Sequence, residues 1–338
     1  MIKLDNNQLR FSFPNVHDDA ECRIAFQRTL RIPDDNREYP LPAGLGHFPQ
    51  FHVDDFAAKV PGTWVQHGGT LLPMWQSEAL WIDFGTWGSE YPCAVKIAAG
   101  KINAVSGKPW TPELQSDPQD YVVIPTQPWL DGFNVAKDLI RQFVSMPLGQ
   151  GYSAEEQLTG VAEHGGIQVL VYPIKAERWE QILSERLAVR ESDYLEYPRF
   201  CRTIANGVSE MGLAPGGLMR QEIYEDEYGL DAWDTGNYSR CFVHLLNSAQ
   251  FQSVTGHPPP TKPMTPAEYK RSGIPWFDYY GDGANAIGGA GPLASLKSLA
   301  AKVIETVGKP MAQNDPLEIN STITLHTPHK KIVREAPF

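Results

Sequence analysis

The chain has 338 residues, 42% of them hydrophobic and 20% charged, with a net charge of −11 at pH 7. That length supports a sizeable core without disulfides or metals. The acidic balance argues against nucleic acid and anionic membranes as partners and favours neutral or cationic ligands.

Residues 21–32 alternate, with Cys22, Ile24, Phe26, Leu30 and Ile32 on one face, which predicts a half-buried antiparallel strand. A proline-punctuated loop follows, and residues 52–60 hold one short helix stopped by Pro61. Strands are predicted at 78–84, 93–105 with a break at Gly100, 121–124 and 139–146. Ser153 and Glu156 form a capping box. Residues 167–174, apolar on both sides, read as a central strand, and a helix runs from about 176 to 186. Within 211–247 the phrase GLAPGGL reads as a turn that lets backbone pass close to another element, leading into a strand over 218–224. Thr265, Pro266 and Glu268 start another helix, after which the glycine-rich run to Gly291 reads as a flexible tail. Residues 292–307 keep helical spacing to the stop at Gly308, and 317–325 alternate as a last strand.

These elements predict an α+β protein, mainly antiparallel β, arranged as a sandwich or open barrel with a few helices. The expected organisation is a β-rich main domain over 1–254, a connector over 255–291, and a C-terminal helix and strand over 292–338 packed on the main domain or a partner. Cys22, Cys93, Cys201 and Cys241 have no metal or redox spacing, and three of them, in apolar surroundings, read as small core residues. With no apolar leader and no run approaching ~20 apolar residues, a soluble, cytoplasmic protein is expected, with no membrane partner.

Several phrases occur together: FQRTLRIPDDNREYPLPAGLG, PQDYVVIPTQPWLDGF, GLAPGGLMRQEIYEDEYGLDAWD, SRCFVH and GIPWFDYY. On them the chain resembles a family of uncharacterised bacterial proteins that carry the same phrases in the same order. The resemblance covers most of the chain and brings no activity, cofactor or catalytic residue with it.

The densest chemistry lies between Arg220 and Arg240, where Glu222, Glu225, Asp226, Glu227, Asp231 and Asp234 crowd together. Clustered carboxylates need solvent, arginine partners or a hard cation. Their order does not fit an EF-hand, and an acidic solvated loop is the commoner use of such a run. The candidate ligand-binding residues are Arg220, Glu222, Asp226, Asp231, Trp233, Asp234 and Arg240. Trp233 either offers its ring to a ligand or plugs the loop onto the sheet. A glycosidase would need two carboxyls facing across a sugar, with Glu222 the leading candidate.

GLAPGGL lacks the lysine and hydroxyl of a phosphate loop, so no nucleotide cofactor is implied. His47, His52 and His67 lack a metal spacing, and no metal site is assigned. His244 reads as a satisfied core histidine. Glu78, Asp83, Lys96, Arg141, Gln142 and Gln168 interrupt apolar strands and must pair, face solvent or line a cavity. The expectation is a binding or assembly protein that associates with itself and takes a polar small molecule or glycan. The alternative is a carboxylate-dependent enzyme acting on a neutral or cationic polar substrate, with or without a divalent cation. Convergence of Glu222, Asp226, Asp231 and Arg141 in one pocket would favour the enzyme.

Overall fold

A computed structural model describes residues 1–85, 90–187, 211–280, 284–319 and 321–326. Among the described residues 36% are strand and 19% helix, in an antiparallel-rich α+β sandwich with no closed barrel. Cys201 lies outside the described residues.

Alternation in the strand Glu21–Thr29 sends Cys22, Ile24 and Phe26 inward at 1% exposure or less. This strand pairs on one side with Gln8–Ser12 and on the other with Ala79–Asp83. Leu139–Pro147 and Met211–Arg220 continue the same sheet. In the second sheet Ile167–Pro173 lies between Cys93–Ala99 and Ser239–Leu246, and Thr70–Pro73 runs parallel to the last of these. All seven residues of Ile167–Pro173 are buried, as a run without alternation demands. One core joins the layers: Phe26, Ile82 and Phe143 of the first sheet cluster with Val95, Val169 and Val171 of the second. A small third sheet sets Trp276–Tyr280 parallel to Thr322–His326 and antiparallel to Leu41–Pro42.

The six polar residues that interrupt apolar strands in the sequence all find partners. Glu78 lies 3.5 Å from Arg28, Lys96 2.7 Å from Asp120, and Arg141 3.3 Å from Asp34. Asp83 accepts from Gln27 and the Gly85 amide, and Gln168 accepts from the Lys101 amide and donates to the Gly165 carbonyl. Gln142, fully buried, accepts from the Ile32 amide and donates to the Leu30 carbonyl. Its side chain thus replaces ladder bonds where the 21–29 strand has ended.

Five local expectations are corrected. The predicted helix before Pro61 is a single 3-10 turn, Val53–Phe56, and the true helix, Gly62–His67, follows the proline. Proline has no N–H to donate, so it suits the entry to a helix better than its interior. GLAPGGL is not a turn but the body of the strand Met211–Arg220. Its glycines allow close approach, because a Cβ on Gly217 would stand 2.2 Å from the Pro33 carbonyl oxygen. The strand then ends at Arg220, so Glu222 is not held on a strand as expected.

The 292–307 helix is two pieces, Gly291–Ala294 and Leu299–Val307. The Ser298 side chain accepts from the Ala301 amide and starts the second. The break lets Leu293 and Leu296 enter the main core while Leu299 joins a separate cluster with Val144, Met146 and Ala214. The terminal strand is Thr322–His326. Leu317 and Ile319 instead pack against the core, and Asn320 lies outside the described residues.

Candidate functional site

Beyond Arg220 the chain leaves the ladder, and side chains take over from backbone bonds. Gln221 donates to the Asp131 carboxylate at 2.8 Å and accepts from the Asp131 amide at 2.9 Å. Burial pushes the Asp131 carboxyl up to about 7, against the hydrogen bonds from Gln221 and the Trp129 side chain. Gln127 accepts from the Tyr224 amide and donates to the Glu222 carbonyl. Gln119 does the same one step on, accepting from the Asp226 amide and donating to the Tyr224 carbonyl. Two glutamines thus fix residues 222–226 against the 119–127 segment.

Asp226 is the centre of this region. One carboxylate oxygen receives the Tyr121 hydroxyl at 2.6 Å and the Trp233 indole N–H at 2.9 Å, and the other receives the Tyr228 amide at 2.8 Å. Burial first, then the bond to Asp226, push the Tyr121 phenol far above its ordinary value, so its proton stays in place as the donor. Three uncharged donors fix the carboxylate, and among the described residues no lysine, arginine or histidine forms an ion pair with it.

Asp226 lines a cleft of about 540 Å3, within the size of small-molecule sites. Tyr121, Glu225 and Leu230 line it with Asp226, Lys108 is exposed at its edge, and the backbone from Ile287 to Pro292 forms the opposite wall. That wall corrects the expected flexible tail. The Ile287 amide donates to Ile223, the Glu225 amide to Asn285, and the Ala290 amide to Asn134. A Cβ on Gly289 would lie 2.1 Å from the Ala136 Cα, so only glycine passes there.

The other candidates go elsewhere. Trp233 is 1% exposed, edge-on to Tyr121 and Tyr228, and its neighbour Asp234 donates its amide to Pro173. Its indole is a plug between loop and sheet, with no free face for stacking. Arg220 grips Asp278 through both carboxylate oxygens. Glu222 accepts the Tyr224 hydroxyl at 2.9 Å and does not line the cleft. Asp231 is exposed, its carbonyl receiving Lys175 Nζ. Asp234 closes its own turn through Gly236 and Asn237. Arg240 is exposed at the start of its strand. Arg141 is committed to Asp34 and the Gly216 carbonyl.

Sequence reading missed Tyr121, Gln119, Lys108 and the glycine wall. The available signal was the PQDY and AIGGAG phrases, each polar or glycine-rich beside apolar residues, but nothing local ties them to 225–226. His244 is 1% exposed and bonded to the Gly68 carbonyl at 3.1 Å, and burial lowers it to about 4. Among the described residues no group of three or more His, Cys, Asp or Glu is arranged to hold a metal ion, and no helix is long and apolar enough to cross a membrane. No family model matches the chain, and neither a curated protein nor a solved structure does.

Proposed function

We propose that this is a binding protein rather than a carboxylate-driven enzyme, and that the Asp226 cleft takes a small polar molecule bearing a cationic group. The observation that carries this reading is the Asp226 carboxylate, fixed by three uncharged donors and, among the described residues, without a cation of its own. A primary amine or guanidinium entering the cleft completes that carboxylate, with Glu225 at the edge as a second anion. Tyr121 and Leu230 give the apolar body of the ligand surface to lie against. Dispersal of Glu222, Asp231 and Arg141 away from the cleft speaks against paired acid–base chemistry, which needs two carboxyls across one substrate.

Thermal shift with a panel of small amines, guanidinium compounds and neutral sugars tests the reading. Amines or guanidinium compounds are expected to raise the melting temperature of the wild type, and Glu225→Gln and Asp226→Asn to weaken the effect. A panel that shifts nothing, or hydrolysis of a glycoside that Glu222→Gln abolishes, overturns it.

Self-association belongs to the same proposal. Ile304 and Val307 are 54% and 58% exposed, and Ile323 on the Thr322–His326 strand is 45% exposed. Apolar side chains left in water in this way support a contact with a second copy.

A further inference from the structure

Residues 258–266 contain Pro258, Pro259, Pro260, Pro263 and Pro266, which stiffen them into a strap. Two side chains from the first sheet and its preceding turn pin it. Trp75 donates its indole N–H to the Thr261 carbonyl at 2.6 Å, and Arg28 donates to the Lys262 carbonyl. Both belong to one carboxylate: Glu78 accepts from the Trp75 amide at 3.0 Å and lies 3.5 Å from Arg28 Nε. Between strap and sheet a cavity of about 30 Å3 is lined by Glu78, Ser77 and Arg31 on the sheet side and Pro263 and Met264 on the strap side. Glu78 itself is 2% exposed.

We infer that Glu78 is the latch of this strap: it orients both pins, the strap keeps it dry, and its protonation sets how often the strap lifts. Of the charged groups around it, Arg28 is its ion partner, and Arg31 is committed to the Ala312 and Gln313 carbonyls. The strap contributes only Lys262, whose side chain is exposed, and the 311–314 segment presents the uncharged Gln313. Burial raises the Glu78 carboxyl to about 7, outweighing the Trp75 amide and Arg28, which lower it. Lifting the strap wets the carboxyl and returns it toward its ordinary value of 4.5. The closed state therefore holds a proton that the open state has lost, and rising pH favours opening. Between pH 6 and pH 8 the opening equilibrium should grow about tenfold.

The thiol introduced by Met264→Cys reports on opening. Its labelling by a neutral thiol reagent is read by mass spectrometry at that position and normalised to a short peptide of the same sequence. The normalised rate should rise about tenfold from pH 6 to pH 8 and become flat when Glu78→Gln is added. Trp75→Phe, which keeps Glu78 and removes one pin, should raise the rate at both pH values and leave the slope. A slope absent from the parent, an equal slope with Glu78→Gln, or a rate unmoved by Trp75→Phe overturns the latch.

Discussion

Arg220 and Asp278 join the first sheet to the third: Arg220 Nη2 stands 2.9 and 3.1 Å from the two carboxylate oxygens, and Nε donates to Oδ1 at 3.1 Å. The pair links residues 58 positions apart and commits an arginine that the sequence offered as a ligand contact. The Arg220 side chain is 36% exposed, so solvent screens much of the attraction. A double-mutant cycle on Arg220→Met and Asp278→Asn should return a coupling of about 0.5–1 kcal/mol. Zero coupling would mean that the third sheet docks by packing alone.

Trp233 fills the space between the acidic loop and the end of the Ile167–Pro173 strand. Trp233→Ala should cost about 3–5 kcal/mol in denaturant unfolding. Tyr121→Phe, which removes only the bond to Asp226, should cost about 1–2 kcal/mol. A Trp233→Ala variant with unchanged stability would show that the loop is held by its backbone bonds alone.

Leu299 is 1% exposed against Val144 and Ala214. Leu299→Asp puts a charge into that contact and should cost about 3 kcal/mol or more. Replacing Ile304, 54% exposed on the same helix, by Asp should change monomer stability by less than about 0.5 kcal/mol. The Ile304 variant should, however, reduce oligomer size in light scattering. A wild-type protein that scatters as a monomer at micromolar concentration removes the self-association proposal.

His244 makes stability depend on pH in the acid range. Its folded value, about 4, lies below the ordinary 6.5, so between these values the unfolded chain binds a proton that the fold refuses. Its contribution is complete above pH 6.5 and is lost as pH falls toward 4, by up to about 3 kcal/mol. His244→Gln should flatten this part of the stability curve. Asp131 has the opposite sign, because its value of about 7 lies above the ordinary 3.8. Its contribution is lost as pH rises from about 4 to 7, so Asp131→Asn should gain on the wild type by at least about 1 kcal/mol between pH 5 and pH 8.

Short-range grammar was readable. The capping boxes at Ser153 and Thr265 form as their spacing dictates, and so does the alternating strand that carries Phe26. The cleft was not readable, because its two walls, at 225–226 and 287–292, meet only through tertiary hydrogen bonds. Glu155 is a second case. It is 1% exposed, and its carboxylate gathers the amides of Glu163, His164 and Gly165. Nothing in a helix-starting acidic residue announces that use. The glycines were half legible: close approach at Gly217 was expected, but in a turn rather than in the body of a strand, and at Gly289 only the neighbouring Ala136 reveals it.

Arg31 donates to the carbonyls of Ala312 and Gln313, 281 and 282 residues downstream. Asp34 bonds the Ala300 amide and, through its backbone, both ends of the Asn314 side-chain amide. The arginine and aspartate find these partners only after a further 266 to 282 residues have left the ribosome. At about 5–20 residues per second, that wait is on the order of tens of seconds. Until then Arg31 and Asp34 lack these partners, and that side of the nascent sheet is open to contact with other chains.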